Sequence, residues 1–155
     1  MTFPTVKGTN LLRKKMTLPK DFEGNFNLLF IPFEQWQQSE VDSWMPLAAE
    51  LEAQYPALVY YELPTIQIRN PLFKMFINEG MRAGIPNPKT RERTITLYLD
   101  KAGFRASLDM ADEEHIYVIL VDHQGAELFR ARDAHSQQAE AALRMVLGQA
   151  GKQEG

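Results

Sequence analysis

The chain contains no cysteine. That excludes disulfides, thiolate metal sites and thiol catalysis together, and it fits a reducing compartment. No apolar run approaches membrane-spanning length. Before Arg13-Lys14-Lys15 the longest apolar patch is Leu11-Leu12, too short for the core of a signal peptide. Glycine is sparse, with 9 in 155 residues, and nowhere forms a phosphate-binding loop. Charge of one sign is lacking as well: the formal net charge of −3 gives no global reason to expect nucleic acid. The reading from these absences is a cytoplasmic protein with no membrane span, no nucleic-acid partner and no cofactor. Its length suits one domain with a substantial core.

What is present is organised around residues 24–51. Phe26 to Phe33 is a continuous apolar run, short enough for a strand and too unalternating for a half-exposed one. Such runs belong to central strands covered on both faces. A polar loop follows, and then Val41, Trp44, Met45, Ala48 and Leu51 recur at helical spacing, one stripe for packing on a sheet. Pro46 falls inside that helix, where it removes a hydrogen bond and predicts a kink. Ala57 to Leu63 reads as a second strand closed by Pro64, parallel to the first through a right-handed crossover.

Further along, Asn70-Pro71 opens a helix from Leu72 to about Arg82, ending near Gly84 and stopped by Pro86 and Pro88. Thr94 to Leu99 alternates and is β-branched, hence a strand. Asp100 is placed to cap a short helix through Leu108. His115 to Val121 is another strand, Asp122-His123-Gln124-Gly125 is turn chemistry, and Ala126 to Arg130 returns as a hairpin partner. A last helix spans about Ser136 to Leu147. The expected class is α/β, a mixed sheet with helices on both faces. Residues 1–16 read as a basic N-terminal segment, 17–150 as the domain and 151–155 as a C-terminal tail. The basic segment is either a solvated arm or a binder of phosphate or an anionic surface, and termini favour the solvated reading.

This order of elements resembles the thioredoxin fold, as found in bacterial thioredoxin-like thiol–disulfide oxidoreductases and peroxiredoxins. The resemblance covers roughly residues 17–149. Leu18 to Phe33 is similar to the lead and first core strand of those enzymes, Met45-Pro46-Leu47 to the kink proline of their first helix, and Val118 to Leu128 to their late hairpin. Counted back from Pro46, the resemblance puts the redox cysteine pair at Gln38 and Val41, or its first member at Trp36. It puts the facing cis-proline near Ile116. None of these residues supplies a thiolate, and a cis bond before isoleucine is disfavoured, so the resemblance implies a redox-inactive member. A narrower resemblance joins Asn70 to Phe76, Met81 to Pro86, Ile116 to Asp122 and Leu128 to Arg130 to the assembly-factor family of the mitochondrial ATP synthase. Members of that family act as assembly helpers.

Several residues are candidates for chemistry. Glu34, Gln35, Gln37 and Gln38 could line a polar pocket near Glu62, and a Glu34–Glu62 pair would serve acid–base work if burial raised one pKa. Arg82, Arg91 and Arg93 could hold a carboxylate or phosphate, although a charged loop pairing with its own glutamates is the commoner explanation. His115, His123 and His135 lack shared metal-ligand spacing, which argues against a common zinc site. Trp36 is placed to stack on a ligand or partner, or to cover the sheet edge. On the helix from 72 to 82, apolar residues including Leu72, Met75, Phe76 and Met81 sweep about 240° of the circumference, more than one sheet face covers. The surplus is covered by the N-terminal segment or left for a protein partner or self-association. Two functions follow. The first is a redox-inactive interaction or assembly-helper module. The alternative is a small-molecule binder or cysteine-independent enzyme using the polar corner.

Overall fold

The computed structural model of the chain describes residues 1–68 and 87–154. At its centre lies β3 (Phe26–Ile31), paired in parallel with β4 (Leu58–Glu62) and antiparallel with β7 (Tyr117–Asp122). β8 (Glu127–Arg132) completes a four-stranded sheet in the order β4-β3-β7-β8. Every residue of β3 is buried, as its unbroken apolar run requires. Successive side chains point to opposite faces. Leu28 and Phe30 thus join one core and Leu29 and Ile31 another.

The first core is closed by two helices. α1 (Gln38–Gln54) lays Val41, Trp44, Leu47, Ala48 and Leu51 against Leu28, Phe30, Val118 and Leu120, and runs on through Pro46. A C-terminal helix, numbered α4 below (Gln137–Glu154), adds Leu143 and Leu147.

The opposite face is covered chiefly by a second sheet. β1 (Val6–Asn10) and β2 (Lys15–Leu18) form an antiparallel hairpin, and β5 (Thr65–Gln67) and β6 (Ile95–Leu99) extend it in the order β2-β1-β6-β5. Met16, Leu18, Ile95 and Leu97 pack on Leu29, Ile31 and Ile119. α2 (Pro88–Arg93) precedes β6, and α3 (Lys101–Ser107) follows it, capped by the Asp100 carboxylate and packing Phe104 and then Leu108 into the same core.

The N-terminal residues correct the expectation of a solvated arm. Phe3, Leu11, Met16 and Leu18 are buried, while Lys7, Arg13, Lys14 and Lys15 point outward. The charges that suggested an arm are the wet face of a hairpin. Close packing explains Gly8: a Cβ there would lie 2.6 Å from Ile95 Cγ2 and 3.0 Å from the Thr96 carbonyl oxygen.

The two sheets are spliced where the chain passes from β4 to β5. Leu63 N–H donates to the Phe30 carbonyl (2.7 Å), Thr65 N–H to Pro32 (2.9 Å) and Leu97 N–H to Pro64 (2.8 Å). Glu62 also bridges Thr94. No helix among the described residues is long and apolar enough to cross a membrane.

Candidate functional site

β3 ends at Ile31, and the chain turns through Pro32-Phe33-Glu34 into a single 3-10 turn, Gln35–Gln37, before α1. The turn is pinned by Gln37, whose side chain is fully buried. Its Oε1 accepts from the Phe33 N–H at 2.8 Å, and its Nε2 donates to the Glu113 carbonyl at 2.6 Å. One amide thus ties the corner after β3 to the loop before β7. Burying an amide this deeply is tolerated because both its ends are satisfied.

Around that latch the positions of the expected redox pair separate. Trp36 is 57% exposed, and Gln38 is exposed and bonded to Asp42. Val41 is buried in the α1 core and Ile116 is buried before β7. The Trp36 ring meets the His115 ring edge-on, with centroids 6.2 Å apart.

The carboxylates expected to line a polar pocket do not act as a pair. Glu34 is exposed and faces the Lys101 ammonium at 3.7 Å, while Lys101 sits closer to Glu113, at 2.8 Å. Glu62 is half-buried on the edge of β4. Removal from water pushes its pKa up to about 7, against a lowering hydrogen bond from Gln38, with the nearby Asp42 charge adding to the rise. Gln35 is exposed in the 3-10 turn. Arg93 grips Glu52, with Nη2 to Oε1 at 2.8 Å, and stacks on the Tyr60 ring at 4.8 Å. Arg91 and Arg93 lie on α2 rather than in a loop. Arg82 and the helix expected to carry Leu72, Met75, Phe76 and Met81 lie outside the described residues. A cleft lined by Asn10, Lys14, Met16, Glu23, Tyr61, Glu92 and Arg93 holds about 20 Å³, room for a water rather than a substrate, and it lies beside the second sheet.

What the structure does assemble at the corner is a group of three. The Glu40 carboxylate, from the first turn of α1, is buried, with Oε2 2.8 Å from His115 Nδ1 and Oε1 3.3 Å from the Ile116 N–H. Asp133, just past β8, brings Oδ1 to 3.5 Å from the same imidazole nitrogen. Asp133 holds a left-handed backbone (φ 79°), fixed by its N–H, which donates to the Ile116 carbonyl, and by its carbonyl, which accepts from the Trp44 indole N–H at 3.0 Å. The Glu40 hydrogen bond raises the His115 pKa. Asp133 is held below the usual carboxylate range, first by hydrogen bonding with the Glu40 carboxyl and then by the Ala134 N–H. The other two histidines stand apart: His135 pairs with Glu140 at 2.7 Å, and His123 is exposed in the β7–β8 turn. Seventy-odd residues separate Glu40 from His115, so no local spacing pointed to the group.

No protein-family model and no curated sequence matches the chain. Solved structures do. The thioredoxin domain of a thiol-disulfide oxidoreductase from Bacteroides vulgatus aligns over 94% of both chains at 15% identity and a TM-score of 0.56. BsSco, a member of the Sco family of cytochrome c oxidase assembly proteins, aligns over 95% of this chain and 92% of its own at 13% identity and a TM-score of 0.63. ScoI from Arabidopsis thaliana, solved with copper bound, aligns over 96% and 99% at 8% identity and the same TM-score. Identities this low establish the fold alone: the chain has the thioredoxin-like fold, without any cysteine for the redox chemistry of its oxidoreductase neighbours.

Proposed function

We propose that this protein is a redox-inactive thioredoxin-fold module that acts through protein contacts, as an interaction or assembly helper. The observation that carries the reading is the corner after β3. Where the resemblance expects a dithiol, the chain presents an exposed indole, Trp36, on a turn locked from below by the buried Gln37 amide. A large aromatic held out on a rigid turn suits the anchor of a protein interface. The Sco neighbour, described as an assembly protein, lends the fold a precedent for such work. The polar-corner enzyme draws no comparable support, because Glu34 and Glu62 take separate partners.

A photo-crosslinking residue at position 36 tests this. A discrete adduct from native lysate, competed away by unlabelled protein and absent when the label sits at exposed Ala141, is the expected result. Labelling at 36 no more specific than at 141 overturns the corner as a contact. The purified protein is also expected to reduce no insulin disulfides and to consume no peroxide over multiple turnovers, since both need a thiolate. Phe76 and Met81, on the helix the sequence leads us to expect, are the second expected contact surface. Phe76→Asp should abolish partner capture with an unchanged melting temperature, whereas a large drop in melting would place Phe76 in the core.

A further inference from the structure

We infer that Glu40, His115 and Asp133 form a binding site for a divalent transition-metal ion of the zinc or cobalt type. The donor atoms, one imidazole nitrogen and two carboxylate oxygens, all lie within 4.8 Å of one another. His115 Nδ1 stands 2.8 Å from Glu40 Oε2 and 3.5 Å from Asp133 Oδ1. Bonds of about 2.0–2.2 Å to a common ion place neighbouring donors roughly 3 Å apart, so ligation needs only small movements, chiefly of the exposed Asp133 and the half-buried His115 around a buried Glu40.

Charge points the same way. Glu40 is 7% exposed, and a carboxylate that deep is seldom left without a compensating positive charge. Among the described residues its ion-pair partner is a single imidazole, which it shares with a second carboxylate. With both carboxyl groups ionised, a protonated histidine offsets one of the two negative charges, and the Arg132 guanidinium acts on Asp133 from farther off. A divalent ion offsets both.

The donors are also held from behind, as metal ligands generally are. The Ile116 N–H holds Glu40 Oε1, and the Ala134 N–H bonds Asp133 Oδ1 at 2.6 Å. The Trp44 indole and the Ile116 carbonyl fix the Asp133 backbone. With nitrogen and oxygen donors and no sulfur, the set suits zinc, cobalt or manganese rather than a soft monovalent ion. Three protein ligands leave coordination positions for water or for a donor from another molecule.

Protein stripped with chelator and titrated with Zn²⁺ by calorimetry, and with Co²⁺ by visible absorption, tests the site. One ion per chain is expected, with Co²⁺ quenching the fluorescence of Trp36 beside His115. His115→Ala and Asp133→Asn, both at accessible positions, should each weaken binding by more than the roughly 10–100-fold that loss of an outer partner costs. His135→Ala, which removes the separate His135–Glu140 pair, should leave it unchanged. Proton and nitrogen NMR of the unaltered protein needs no variant: Zn²⁺ should move the His115 ring and Ala134 amide signals first. Binding weaker than about 1 mM for both ions, binding undiminished by His115→Ala, or Zn²⁺-induced shifts centred on His135 would each overturn the inference.

Discussion

In the central sheet β3 and β7 offer apolar side chains to both faces, whereas the β1–β2 hairpin of the outer sheet offers them to one. β3 buries all six of its residues, and β7 buries five of six. β1 and β2 bury alternate positions, Gly8 and Asn10 on one strand and Met16 and Leu18 on the other. The hairpin therefore depends on the inner sheet for its core, and its own sequence carries half the apolar signal. Position in the layer order, more than strand length, sets how much of a strand's chemistry is spent on burial.

The largest expected effect breaks this comparison from the inside. Phe30→Ala removes a fully buried ring that packs on Trp44, and should cost about 3–5 kcal/mol by urea denaturation. In the outer sheet Gly8→Ala pushes a methyl group toward Ile95, Leu97 and the Thr96 carbonyl, for about 1–3 kcal/mol. A neutral result at Gly8 would mean that the outer sheet yields where the inner one cannot.

Glu62, at the junction of the two sheets, sharpens the comparison through pH. Its folded pKa, about 7, lies above the ordinary value of 4.5, so the folded state holds the proton more tightly. That contribution is fully present below about pH 4.5 and is lost as pH rises toward 7. Glu62→Gln should therefore match the parent at pH 4.5 and exceed it at pH 8 by about 1–2 kcal/mol. Equal stabilities at both pH values would show that the carboxyl is well solvated. Smallest of all, Lys7→Ala on the wet face of β1 should change stability by less than about 0.5 kcal/mol.

The same asymmetry explains what could be read from the chain beforehand. Phe26 to Ile31 and Tyr117 to Asp122 announced themselves because two buried faces leave no polar interruption. Val6-Lys7-Gly8-Thr9-Asn10 shows one valine and one lysine to a reader counting apolar residues, and its hairpin partner begins with Lys15. β5 is only three residues long and hid behind Pro64. Pro88 reads as a stop to the helix expected before it, yet Asn87-Pro88 also carries a start signal. Asn87 Oδ1 accepts from the Lys89 and Thr90 N–H groups and Pro88 takes the first turn, the ordinary start of a helix. The corner was partly legible: Trp36 was singled out, and the strand–turn–helix that holds it was expected. The Glu40–His115–Asp133 group was not, because its members come from three distant segments that the β3–β7 and β7–β8 pairings bring together.

The splice between β4 and β5 has a consequence for how the molecule opens. The backbone amides of Leu63, Thr65 and Leu97 are bonded across it, so neither sheet can separate without breaking bonds that belong to the other. Local opening should therefore not stop at the boundary. In native-state hydrogen exchange, the slowest amides of β3 and those of β6 are expected to share one opening free energy, with the outer sheet exchanging as part of the same cooperative unit rather than fraying ahead of it.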